Sequence, residues 1–347
     1  MPLADAAGYP LWINLLLFAA AGVVIWVSGA RLTRHLDAIA LKTGLDHAFV
    51  GMLLLGGITS LPEVANTVTA SAMGNPALAV NNLLGSAAIN VLLLAVVDGF
   101  VGRAAVTSIV AQPSTMMMAA LCMIVLILIA AIITVGDVDL GFGMGAGSLV
   151  VGAAAIFSFW VAAGHDKRSP WSVDEDGDGV PDADAEDPEP DTGLAPLWVR
   201  TAIDGALIFA AGYVLSQTGD AIATQAGLTS AIVGFGLIGT ATSLPELVTI
   251  IAALKLGRPE MAFGQVLGTN FVNLALIPLG DAVYRGRPLM GELGRFETVS
   301  SLLGATLIGV FMVGLLEHRD RTIWKMGVDS AAVIVLFAIG TAVLASL

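Results

Sequence analysis

Apolar residues run along this chain in long blocks separated by short polar breaks, and the blocks have the length of helices that cross a bilayer. A crossing helix needs roughly 20 predominantly apolar residues. Bounded by Gly, Pro and charge, ten such blocks lie near 11–30, 48–73, 78–98, 114–135, 142–163, 200–217, 228–254, 261–281, 298–316 and 326–346. The single long polar interval, 164–199, divides them five and five. The pattern predicts an all-α membrane protein of ten transmembrane helices, with a first half over 1–163, an acidic loop over 164–199 and a second half over 200–347. The first block lacks a basic stretch before it and carries Arg31 and Arg34 after it, which predicts a retained helix and not a signal peptide.

The two halves resemble each other. Gly51 to Asp98 lies over Gly234 to Asp281 at a constant offset of 183 without a gap, and 17 of 48 positions are identical. The polar residues coincide best. Thr59, Ser60, Leu61, Pro62 and Glu63 fall on Thr242, Ser243, Leu244, Pro245 and Glu246, Gly85-Ser86 on Gly268-Thr269, Asn90 on Asn273, and Asp98 on Asp281. A duplicated unit, with repeat segments over 48–98 and 231–281, is the simplest explanation. An odd number of spans per unit inserts the second copy upside down, an architecture that places matching segments together at the midplane, where secondary transporters bind substrate.

Composition sharpens this reading. Of 347 residues 56% are hydrophobic and only 12% charged, whereas a soluble domain carries about 25% charged residues. Soluble enzymes and nucleic-acid readers are excluded, and the lipid bilayer is an expected partner. The net charge of −13 belongs to one loop: Asp174 to Asp191 holds ten acids and no base, and without it 18 acids face 15 bases. Lys and Arg fall twelve on one side of the ten-span layout and three on the other. The positive-inside rule then puts both termini outside and the acidic loop in the cytoplasm, as in a prokaryotic plasma membrane. Trp12, Trp160, Trp198 and Trp324 sit near span ends, where indoles favour the interface. The lone Cys122 lies in an apolar run and cannot build a disulfide framework within the chain.

Carboxylates inside spans are costly and are kept where they face a cavity or a partner. Glu63 and Glu246 are two such residues, each preceded by a proline that has no N–H to give to the carbonyl of Ile58 or Ala241. Freed carbonyls, the hydroxyls of Thr59, Ser60, Thr242 and Ser243, and the two carboxylates would line a small space with oxygen. Such a cage suits a hard cation, Ca²⁺ or Na⁺, and two carboxylates neutralise one Ca²⁺. Ser86 and Asn90, like Thr269 and Asn273, are four residues apart and project from one helical face towards the same place. Asp98 and Asp281 fall at span ends, where they are expected as solvated end caps. Arg200 and Asp204 are spaced for an i,i+4 pair, and 141–148, GFGMGAGS, reads as close helix packing and not as a phosphate loop.

At these residues the sequence resembles the calcium/cation antiporter superfamily, in particular its sodium/calcium exchanger branch. The motifs are GITSLPE with GSAAIN, and GTATSLPE with GTNFVN. The resemblance implies an alternating-access antiporter, not an enzyme, exchanging Ca²⁺ for Na⁺ without an organic cofactor. Glu63 and Glu246 would be shared between a central Ca²⁺ site and flanking Na⁺ sites. Thr59, Ser60, Ser86, Thr242, Ser243 and Thr269 would give oxygens, and Asn90 and Asn273 would complete the ring. Many exchangers have Asp where Asn273 stands. Proton-coupled relatives usually carry a further acid where this chain has Asn82 and Gln265, so Na⁺ is the expected counter-ion, with Ca²⁺/H⁺ exchange as the alternative. A cation channel is disfavoured by the inverted repeat. An intramembrane protease is disfavoured because Pro278 to Asp281 lacks the first glycine of a GxGD motif.

The acidic loop has its own pattern. Asp174, Asp176, Asp178 and Asp182 occupy positions 1, 3, 5 and 9 of a calcium-loop spacing, with Gly179 at 6. Position 12 is Ala185, so a standard EF-hand is not expected. The remaining reading is a loop that gathers or senses cytoplasmic Ca²⁺, or a solvated acidic linker.

Overall fold

The computed structural model describes residues 6–101, 113–141, 143–164, 193–225, 242–317, 322–323 and 326–347. They form α1 (Leu11–Thr43), a bent pair α2 (His47–Thr59) and α3 (Leu61–Ala72), α4 (Pro76–Val101), α5 (Pro113–Val135) and α6 (Ala146–Ala163). Then follow α7 (Leu194–Gln225), α8 (Leu244–Lys255), α9 (Pro259–Ala275), α10 (Ile277–Val283) and α11 (Arg295–Glu317). A small hairpin, β1 (Thr322–Ile323) with β2 (Met326–Gly327), leads into α12 (Val328–Leu344).

Among the described residues seven spans are long and apolar enough to cross a membrane, with α9 and α10 together counting as one over Pro259–Val283, and the bent pair α2–α3 makes an eighth. α12 is apolar but has 17 residues. Residues 226–241, the first part of the span expected over 228–254, lie outside the described residues, as do Trp324 and the loop positions Asp174, Asp176, Asp178 and Asp182.

Several spans depart from their expected limits for local reasons. α1 runs on past Arg31 and Arg34 until Gly44, whose φ of 69° is the left-handed conformation that ends a helix and whose N–H bonds the Ala40 carbonyl. The extension is held by charge, since Asp204 of α7 meets Arg31 at 3.1 Å and His35 at 3.2 Å. The i,i+4 spacing with Arg200 gave no hint of this cross-helix pairing. Near the end of α1, the Asp37 carboxylate accepts from His47 Nε2 at 2.9 Å and Arg258 Nε at 3.0 Å, tying α1 to the starts of α2 and α9. The span expected over 261–281 breaks at Leu276, because Pro278 enters the next helix at its first turn.

α1 and α7 pack on each other along their length and turn Leu15, Leu16, Val23, Val199 and Ile203 outward. The enclosed centre of the molecule is made by α2, α4 and α9. α2 crosses α9 with backbone close against backbone at three glycines: a Cβ at Gly264 would collide with the Ala48 carbonyl, one at Gly268 with the Met52 carbonyl, and one at Gly56 would stand 2.8 Å from the Thr269 nitrogen. Small residues are what bring helix backbones this close in a membrane.

Asp98 and Asp281 are not solvated, contrary to the expectation for span ends. They are 1% and 0% exposed. Each accepts from the N–H of the glycine that begins another helix, Asp98 from Gly327 before α12 and Asp281 from Gly145 before α6, both at 2.8 Å. Asp281 also takes the Ser148 hydroxyl and, at 2.8 Å, the Leu289 N–H. A helix N-terminus offers unpaired donors and partial positive charge, so a carboxylate can be buried there. This also corrects the reading of 141–148: besides close packing of Gly147 on Ile132, the segment is a capping turn whose Gly147 N–H binds Asp137 at 2.6 Å. Asp281→Ala strands the buried N–H groups of Gly145 and Leu289, while the Ser148 hydroxyl keeps the Gly145 carbonyl, and is expected to lower stability by about 2 kcal/mol or more, read as a lower melting temperature in detergent.

Candidate functional site

The two glutamates arise from the same local construction. Ser60 and Ser243 precede α3 and α8 with nearly equal backbone angles, φ −78°, ψ −1° and φ −86°, ψ 6°. Their carbonyls accept the first helical bonds, from Val64 at 3.2 Å and Leu247 at 3.0 Å. Pro62 and Pro245 sit in the first turn, where a missing N–H costs nothing. Glu63 and Glu246 follow in that same turn, facing the positive end of a helix that starts in the interior. α2 and α3 meet at 43°, and Gly51–Leu55, separated from the break by the α-helical turn Gly56–Thr59, is π-helical, a local widening often found near functional sites.

Both carboxyl groups are fully buried and close enough to repel one another. Glu63 Oε1 accepts from the Ser86 hydroxyl at 3.5 Å, whereas Glu63 Oε2 and both oxygens of Glu246 have no hydrogen-bond partner. The Ser243 hydroxyl, Asn90 Oδ1 and both polar atoms of the Asn273 amide are likewise buried and unpaired. Thr59 and Thr269 hydroxyls meet at 3.5 Å across the α2–α9 crossing. Ser60 is turned differently, its hydroxyl donating to the Gly56 carbonyl at 2.8 Å. Thr242 is buried beside Ser243, and Ala241 lies outside the described residues.

A buried polar atom without a partner costs about 1–3 kcal/mol, and more when charged. Here such atoms are gathered on repeat-related residues of α3, α4, α8 and α9, and almost all are oxygens. No group of three or more His, Cys, Asp or Glu suited to a metal occurs among the described residues. The donor set is two carboxylates with neutral oxygens, which favours a hard cation.

Asn270 is the residue that sequence comparison passed over. It is fully buried, its Oδ1 accepts from Asn90 at 3.4 Å, and its Nδ2 donates to the Ala87 carbonyl at 3.4 Å. Ala87 is its own counterpart at the repeat offset of 183. Residue and counterpart touch only where the two copies meet. Because the counterpart is alanine, register matching of polar residues gave no signal there.

The description of the family "Sodium/calcium exchanger protein" matches residues 13–163 and 197–345. The chain belongs to this family. Its members are transporters, so the chain is an integral membrane cation/calcium antiporter. CaxA of Alkalimonas amylolytica is 25% identical over 311 residues, covering 88% of this chain and 92% of the relative. The inner membrane protein YrbG of Escherichia coli K12 is 26% identical over 258 residues, 74% and 75% of the two chains. The sodium-calcium exchanger NCX_Mj, in crystals soaked with 100 mM Na⁺ and 10 mM Sr²⁺, has the same fold, with a TM-score of 0.70, 17% identity and coverage of 97% and 99%. The exchanger family match spans both repeats, including Thr59 to Glu63, Ser86, Asn90, Thr242 to Glu246, Thr269 and Asn273.

Proposed function

We propose that the chain exchanges Ca²⁺ for Na⁺ by alternating access, with Glu63 and Glu246 as the shared ligands. The observation that carries this reading is the set of buried, unpaired carboxylate oxygens on Glu63 and Glu246. Two carboxylates that repel one another in a dry interior are costly to enclose without compensation. One Ca²⁺ supplies two positive charges, and Na⁺ ions distributed over the same oxygens supply them in another form. The empty site is the costly one to occlude, so net movement of either ion requires the other to return. Thr59, Ser60, Ser86, Thr242, Ser243 and Thr269 provide oxygens around the carboxylates in this reading, and Asn90 and Asn273 close the ring.

The chain is read as ten transmembrane helices in two inverted five-helix halves, 1–163 and 200–347, with both termini outside and the acidic loop 164–199 in the cytoplasm. The Lys and Arg distribution supports that orientation. Asn82 and Gln265 support Na⁺ over H⁺, because neither adds an ionisable group to the site.

The experiment is uptake of radiolabelled Ca²⁺ into proteoliposomes loaded with Na⁺, against liposomes carrying only a pH gradient. Uptake that requires internal Na⁺ is the expected result. Uptake driven by the pH gradient alone would replace Na⁺ by H⁺ as counter-ion, and flux indifferent to both would favour a channel. If Asp174, Asp176, Asp178 and Asp182 sense cytoplasmic Ca²⁺, deleting 174–191 shifts the Ca²⁺ dependence of the same uptake. Unchanged uptake would leave the loop as a linker.

A further inference from the structure

The two halves differ in the helical turns that follow the site glutamates. On α3 the residues at four-residue intervals after Glu63 are Thr67 and Ser71. On α8 the corresponding residues after Glu246 are Ile250 and Leu254. Four-residue spacing keeps each series on one helical face, so α3 carries a polar stripe where α8 carries an apolar one.

Three further observations fall on the polar side. Thr67 and Ser71 are each 1% exposed, and neither hydroxyl has a hydrogen-bond partner. α3 and α4 form an antiparallel hairpin whose register is marked by the Ser86–Glu63 hydrogen bond. One turn further along each helix stand Thr67 and Asn82, and Asn82 is 5% exposed with both its amide oxygen and nitrogen unpaired. Opposite them α10 presents Gly280, where a Cβ would stand 3.1 Å from the Ser71 hydroxyl oxygen and 3.2 Å from the Thr67 methyl. The counterpart of Gly280 at the repeat offset is Val97, which is buried. The counterpart of Asn82 is Gln265, whose amide nitrogen donates to the Thr249 hydroxyl while its amide oxygen stays buried and unpaired.

Unpaired buried polar groups cost stability unless a ligand or water meets them. Four such atoms, on Thr67, Ser71 and Asn82, lie on the turns that follow a site glutamate and share one explanation, whereas the other half carries the apolar Ile250, Leu254 and Val97 at the positions corresponding to Thr67, Ser71 and Gly280. We infer that Thr67, Ser71 and Asn82 form a staging site for a partly hydrated hard cation, one turn from Glu63, on the path to the mouth at the Ala72 end of α3. Hydroxyl and amide oxygens replace part of the hydration shell without adding charge, so the ion is held weakly and passes on to the carboxylates. The other half has apolar residues in place of the two hydroxyls and keeps only the Gln265 amide oxygen unpaired, so the two faces of the transporter differ in how they admit ions. This inference rests on the exchange reading above.

The test uses the full chain in proteoliposomes, with Na⁺-dependent Ca²⁺ exchange titrated separately from each face. The Thr67→Val, Ser71→Ala double variant should raise the half-saturating Ca²⁺ concentration at the Ala72-end mouth roughly fivefold or more, the worth of about one neutral hydrogen-bonding ligand. The other face and the maximal rate should stay within about twofold. Gly280→Ala keeps every polar group but fills the space, and should shift the same face. An unshifted double variant, or equal shifts at both faces, overturns the staging site while leaving exchange intact. Wild-type protein without Na⁺-dependent exchange overturns the exchange reading and this inference with it.

Discussion

Glu63→Gln and Glu246→Gln are each expected to abolish exchange while leaving the protein folded. Glutamine keeps the shape of glutamate and removes one of the two charges that a dehydrated Ca²⁺ needs. Losing one partner of a buried charge interaction costs about 3–5 kcal/mol, and at 1.4 kcal/mol per decade that is a loss of at least about a hundredfold in affinity. The fold should tolerate the change, because the neutral side chain also ends the repulsion between the two carboxyl groups. Two measurements separate these effects. Radiolabelled Ca²⁺ uptake should vanish in either variant, and the rise in melting temperature that Ca²⁺ gives the wild type by binding the folded state should vanish with it. Robust exchange by either variant would remove that glutamate from the site.

The second large effect is expected at the α2–α9 crossing. Gly268→Ala places a methyl group against the Met52 carbonyl, and Gly264→Ala does the same against Ala48. Backbone cannot rotate away as a side chain can, so the helices must part. Overpacking of this kind costs about 1–3 kcal/mol, and the parting also separates the Thr59 and Thr269 hydroxyls that face each other there. Both stability and exchange should fall. Gly22→Ala is the control: nothing lies within 4 Å of its Cβ position on α1, and alanine is better than glycine in a helix by up to about 1 kcal/mol. A Gly268→Ala protein as stable and active as the Gly22→Ala protein would refute the close crossing.

Much of the candidate site was legible because the chain says the same thing twice. A duplicated Thr-Ser-Leu-Pro-Glu is informative without any alignment of relatives, since two copies in register at an offset of 183 expose which polar residues the unit retains. The same procedure has a blind spot. It misses whatever one copy has and the other lacks, and that is where Asn270, opposite Ala87, and the stripe of Thr67 and Ser71, opposite Ile250 and Leu254, were found. Helix ends were less legible than helix existence. Hydropathy ended the first span near residue 30, but the helix continues to Thr43 because its charged end finds Asp204 and its aspartate finds His47 and Arg258.

The sequence by itself determined the membrane setting, the helix starts at Pro62 and Pro245, and the oxygen-bearing character of the candidate ligands around the two glutamates. These follow from local properties: apolar length, the missing N–H of Pro62 and Pro245, and the hardness of oxygen ligands. Only the tertiary structure decided that Glu63 and Glu246 lie within reach of each other's charge, that Asp98 and Asp281 are buried against the helix starts at Gly327 and Gly145, and that Asp204 serves α1. Those are contacts between residues from 136 to 229 positions apart. Pairings of that kind are set by which backbones can approach and which buried donors remain to be met, and neither quantity is written in the local pattern.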